Sequence, residues 1–128
     1  MILATTHNSV MVTLHQNWSR VVLIYTLLVA LWALFLWLRG SNPSGGLLGA
    51  LILDEAVVTI QGILGLILVL QGQRPQQGLH ILYGVVSLLV LPAAYLYSEG
   101  GTERRDSLVF GLASLFLFGI AIRGIGTG

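Results

Sequence analysis

The stretch Gly46–Leu70, GLLGALILDEAVVTIQGILGLILVL, limits what this chain can fold into more than any other. It is long enough to cross a bilayer as a helix, which takes about 20 apolar residues, yet it carries adjacent Asp54 and Glu55. Its fifteen Leu, Ile and Val residues each favour insertion by roughly 0.3–0.6 kcal/mol near the helix centre, whereas an acidic residue there costs about 2.5–3.5 kcal/mol. Two acids cancel most of the apolar gain. The segment therefore inserts well only where those carboxyls lie off-centre, are protonated or have partners. On a helical wheel at ~100° per residue, Asp54, Val58, Gln61 and Gly65 share one stripe with Glu55 and Gly62 beside it. Ile60, Ile63, Leu64 and Ile67 lie opposite. The polar and small face is expected to look into protein, and the other into lipid.

Composition extends this reading to the whole chain. Of 128 residues, 55% are hydrophobic and 9% charged, with mean hydropathy +0.88; a soluble domain carries about 25% charged residues. The length suits one compact unit. A net charge of +1 with no basic run gives nucleic acid nothing to bind. The absence of Cys removes disulfides, thiolate chemistry, iron–sulfur ligation and covalent haem attachment.

Four spans follow, at about residues 19–38, 46–70, 79–98 and 107–123. Residues 1–17 mix short apolar pieces with Thr, Asn and His, and are expected as an interfacial stretch or a flexible tail rather than a secretory signal. Trp18 with Arg20, and Trp37 with Arg39, read as belt residues at the two ends of the first span. Asn42 before Pro43 reads as the cap of the second helix. Pro92 is expected to kink the third helix. Short loops predict antiparallel neighbours, so the expected architecture is an all-α, integral-membrane, four-helix up-down-up-down bundle, one transmembrane domain over residues 1–128. Arg20, Arg74 and Arg123 then face Arg39, Arg104 and Arg105 across the membrane, a tie that leaves orientation open.

Asp54, Glu55 and Gln61 form the leading candidate site. An ionisable residue within a span points to protons, ions or a specific partner. One reading is a proton or cation site. The other is a polar clamp or subunit contact, with Asp54 bonded to Gln61, to a tyrosine, or to an arginine such as Arg39 or Arg105. His80 lies on the inward stripe of the third span near one membrane edge, with His15 near the same edge. A haem or chlorophyll ligand is one reading of His80, with His15 as the second ligand of a haem between the first and third helices, and a hydrogen-bonded interfacial histidine is the other. Gly45/Gly49, Gly62/Gly65 and Gly111/Gly119 mark close helix contacts. The loop EGGTERRD is either a solvated face or a dock for a soluble partner through Arg104 and Arg105. No nucleophile–base pair and no metal-ligand cluster is visible, so the chain is not expected to be an enzyme on its own and no metal is assigned.

Over HILYGVVSLLVLPAAYLY at His80–Tyr97, and QGILGLILVLQGQRP before it, the chain resembles an uncharacterised family of small bacterial four-span membrane proteins. The resemblance covers nearly all of the chain. It implies residence in the bacterial cytoplasmic (inner) membrane and a role as an accessory or structural subunit of a respiratory or photosynthetic electron-transfer complex; alternative complex III, a quinol-oxidising assembly, is one such host. Expected partners are then the lipid bilayer with bound lipid and larger membrane subunits. A small proton- or cation-coupled carrier using Asp54 or Glu55 stands as the alternative. Small multidrug transporters are likewise short and four-span, but carry their essential Glu in the first helix, whereas Asp54 and Glu55 lie in the second.

Overall fold

The computed structural model describes residues 2–72 and 78–127, with side chains from residue 10 onward up to 126. The turn at residues 73–77, with Arg74, lies outside the described residues. The chain forms four helices: α1 (Ile2–Leu38), α2 (Gly45–Leu70), α3 (Leu79–Tyr97) and α4 (Arg104–Thr127). No strand occurs among the described residues. All four helices are long and apolar enough to cross a membrane. The shortest, α3, has 19 residues, about 28 Å at 1.5 Å per residue, close to the ~30 Å hydrocarbon core.

α4 runs Arg104–Thr127, longer at both ends than the expected 107–123, so Arg104, Arg105 and Asp106 belong to its first turn rather than to a loop. Two further boundaries differ from expectation, each for a local reason. Residues 10–17 continue α1 instead of forming a separate tail, because α2 gives them a surface to pack on. The His15 ring sits against Gly65, and Trp18 Nε1 donates to Val57 O at 2.8 Å. Trp18 therefore lies beside the middle of α2. Ser44, not Asn42, caps α2, its hydroxyl accepting from Leu47 N at 3.1 Å. Asn42 instead donates from Nδ2 to Thr102 O at 3.2 Å. Pro92 stands on an exposed position inside α3, which continues helical to Tyr97.

The helices form a ring. α1 packs on α2 and most extensively on α4, and α3 packs on α4 and least on α2. α1 and α3 thus occupy one diagonal, α2 and α4 the other. Contact pairs run in opposite senses along neighbours: Trp18 with Val57 and Tyr25 with Ala50 on α1 and α2, and Leu34 with Gly111 and Trp37 with Arg104 on α1 and α4. Small residues set the α1–α4 distance. Ala30, Ala33 and Ser114 are fully buried, and a Cβ at Gly111 would fall 2.6 Å from Leu34 Cδ2. Val22, Val29, Leu47, Leu51, Val58, Leu91, Phe110 and Leu117 complete the core. The outward faces are apolar: Ile52 is 71%, Leu96 76% and Leu70 77% exposed.

One end of the ring is stitched. Ser107 Oγ donates to Ser41 O at 2.9 Å and Arg104 Nε to Trp37 O at 3.0 Å, beside the Asn42–Thr102 bond. Asp106, buried at the start of α4, accepts from Glu103 N at 2.9 Å, satisfying a donor that the helix leaves unpaired. Gly101 makes the entry to α4 with φ +77°, its missing Cβ filled by Phe110 Cε2 at 2.7 Å.

Gly101→Ala combines a left-handed backbone, about 1–2 kcal/mol, with overpacking of about 1–3 kcal/mol. Gly40, at φ +77° but with only Arg104 Nε at 3.8 Å from its would-be Cβ, meets the backbone cost alone. Thermal unfolding in detergent should show Gly101→Ala lowering the midpoint clearly more than Gly40→Ala.

Candidate functional site

Among the described residues, four side-chain hydrogen bonds cross the α1–α2 interface. Tyr25 OH donates to Ala50 O at 2.9 Å, Thr26 Oγ1 to Asp54 Oδ1 at 2.8 Å, Trp18 Nε1 to Val57 O at 2.8 Å, and Gln61 Nε2 to His15 O at 3.0 Å. Two of these acceptors, Ala50 O and Val57 O, are carbonyls inside α2 that already belong to its helical ladder, so they take a second donor. Helical spacing explains why all four land on one seam. On α2 the bonds use positions 50, 54, 57 and 61, an i, i+4, i+7, i+11 series along one face, and Asp54 on it is buried.

Asp54 is 0% exposed and so is Thr26, so the carboxylate reaches neither lipid nor water. Its partner is thus Thr26, not Gln61, a tyrosine or an arginine. Gln61 and Tyr25 are occupied by backbone carbonyls instead. Asp54 Oδ2 and the half-buried Glu55's Oε2 have no hydrogen-bond partner among the described residues. Thr59, one turn on, donates to Glu55 O at 2.7 Å and leaves the Glu55 carboxyl alone. The arrangement can hold a proton or clamp two helices. The three-residue grouping that a metal ion needs is absent among the described residues.

The structure also brings together His15 and His80, 65 positions apart in the chain. Their ring centroids lie 6.0 Å apart with planes at 76°. His15 Nδ1 and Gln61 Oε1 are buried without a hydrogen-bond partner. Arg104 and Arg105, the expected docking pair, lie at the opposite, stitched end. Arg104 is tied to Trp37 O and stacks over the Trp37 ring at 5.6 Å, whereas Arg105, 61% exposed, lies 3.8 Å from Asp106 Oδ1 and over the Tyr97 ring at 5.8 Å.

Sequence reasoning did not single out Thr26, Ser107 or Ser114, and gave Asp106 only as part of the expected loop EGGTERRD. Asp106 stands instead in the first turn of α4. Nothing in the sequence marks Ser107 as a loop clamp. Ser114 is fully buried with its hydroxyl unpartnered among the described residues.

Thr26→Val removes the donor and leaves a fully buried carboxylate oxygen unsatisfied, a loss of about 1–3 kcal/mol. Thr26→Val combined with Asp54→Leu removes both polar partners and should recover part of that loss. Denaturant titration of the four variants as a double-mutant cycle measures the coupling; additive effects would mean the pair does not interact. Comparison of the chain with known protein families, curated proteins and solved structures finds no match.

Proposed function

We propose that this protein is a multi-pass membrane protein, an up-down-up-down bundle of the bacterial cytoplasmic membrane, that serves as a non-catalytic accessory subunit beside larger membrane subunits. The observation that carries the reading is the sealing of Asp54. The most polar group within a span is fully enclosed and hydrogen-bonded across α1 and α2, as a clamp requires and as an open transport path does not. The exposed leucines and isoleucines around the ring, Ile52, Leu53, Leu66 and Leu89 among them, suit lipid or neighbouring transmembrane helices. The antiparallel contact pairs of α1 with α2 and of α1 with α4 support the up-down order. The proposal is for membrane assemblies in general. An electron-transfer host enters only through the family resemblance.

A second reading, a small proton- or cation-coupled carrier, is favoured by one specific observation: Asp54 Oδ2 and Glu55 Oε2 are both buried and unpartnered among the described residues. A carrier group must be able to exchange its proton or ion, and an oxygen already bonded to protein is less free to do so.

Two measurements separate these readings. Purification of the tagged protein in mild detergent should yield a native-gel band containing larger subunits in fixed stoichiometry; a lone monodisperse species would remove the accessory role. Proton flux in reconstituted vesicles should be at background, and equal for wild type, Asp54→Asn and Glu55→Gln. Flux that both substitutions abolish would establish the carrier instead.

A further inference from the structure

His15 and His80 lie on the diagonal helices α1 and α3, whose backbones do not pack on each other. Their imidazoles nevertheless meet across that diagonal, in an edge contact with centroids 6.0 Å apart and planes at 76°. The contact matters most to α3. That helix leans on α4 and least on α2, so His80 ties its start to a part of the ring that its backbone does not reach. His80 is the second residue of α3, and both rings are half-buried. Protons from the water at this end of the bundle therefore have access to the pair.

Imidazole changes charge near pH 6.5, within the range that cells experience. A second proton on this pair puts two positive charges about 6 Å apart. At an effective dielectric of about 20, their repulsion weakens its binding about a hundredfold. A nearby anion would relieve that repulsion, and the chain supplies none. Its five acids are Asp54, Glu55, Glu99, Glu103 and Asp106. The last three belong to the stitched end. Glu55, the nearer of the other two, stands about 9 Å along α2 from Gln61, and Asp54 is sealed against Thr26. Around the rings, α2 presents Gln61 and Gly65, and α4 presents Gly124. Tyr83 follows His80 by one turn of α3, Arg20 follows His15 on α1, and Arg123 precedes Gly124 on α4. The side chain of His7 and the turn with Arg74 lie outside the described residues. The charged residues nearest the pair in the sequence, Arg20, Arg74 and Arg123, are thus all cationic. His15 Nδ1 is also buried without a hydrogen-bond partner among the described residues, a state that costs a charged ring more than a neutral one. Closed, the contact suits at most one proton.

We propose that His15 and His80 form a proton-sensitive latch between α1 and α3, closed while at least one ring is neutral and released when both are charged. The closed bundle binds fewer protons than the open one, so falling pH favours release and rising pH restores the contact. Release frees the start of α3 where α2 supports it least, and the ring opens between α2 and α3 at this end. The latch does not depend on the accessory-subunit reading. Because the chain has no Cys, it can be tested with spin labels at Leu14→Cys and Leu82→Cys, exposed positions close to the pair on α1 and α3. Double electron–electron resonance on the full-length protein in mild detergent should show the distance between labels lengthening by several ångström from about pH 7.5 to about pH 5, a range that brackets imidazole titration. The change should reverse when the pH is restored. It should be absent in His15→Gln and in His80→Gln, since each leaves a single imidazole and no second charge to repel it. Where a glutamine variant fails to fold, as judged by circular dichroism and gel filtration, histidine-selective nuclear magnetic resonance of the wild type decides. A second proton bound at least tenfold more weakly than the first upholds the latch, and two independent titrations overturn it. A wild-type distance that does not move with pH also overturns it, as does a change that persists in either glutamine variant.

Discussion

The bond from Thr26 to Asp54 is the constraint on which the rest of the bundle turns. A carboxyl side chain in an apolar interior is tolerated only when something donates to it. The donor here comes from another helix, so the acid can be satisfied only when α1 and α2 sit side by side in one register. The neighbouring bonds from Trp18, Tyr25 and Gln61 repeat the same register at other heights. Apolar side chains alone would let these helices slide by a turn at little cost, because lipid is as comfortable for leucine as another helix is. The polar seam takes away that freedom.

Register at the seam then fixes what lies at its ends. With α1 held against α2, His15 falls beside Gly65, and the ring is carried into the bundle toward His80. At the far end the same register brings Ser41 and Asn42 over the start of α4, where Ser107 and Thr102 meet them. Function is therefore proposed from groups that one shared alignment assembles.

Much of this was legible in the sequence, and for definite physical reasons. The span of α2 and the inward placement of Asp54 and Val58 follow from apolar run length and a 3.6-residue period. The lipid-like outer faces follow from composition. The nearness of His15 to His80 followed from placing both at one membrane edge. What could not be read was pairing. Periodicity says which face of a helix turns inward, but not which residue of a neighbour stands opposite, so Thr26 could not be chosen over a tyrosine or an arginine for Asp54. The length of α1 was misjudged at residues 10–17 because their mixed polarity looks like a tail in isolation; contact with α2 is what makes a helix of them. The cap was misplaced by two residues because both Asn42 and Ser44 have the right chemistry, and only the cross-loop bond to Thr102 O draws Asn42 away.

The extensive packing of α1 on α4 has a consequence for how the protein is made. α1 has its chief companion in α4, which is made two helices later; the clamp from Ser107 to Ser41 spans 66 residues. Until α4 arrives, the Ala30–Ala33 groove of α1 is bare, and α1 to α3 form an unclosed string. Closure of this bundle is thus a late, long-range step, and whatever covers that groove meanwhile is working against the clock of translation.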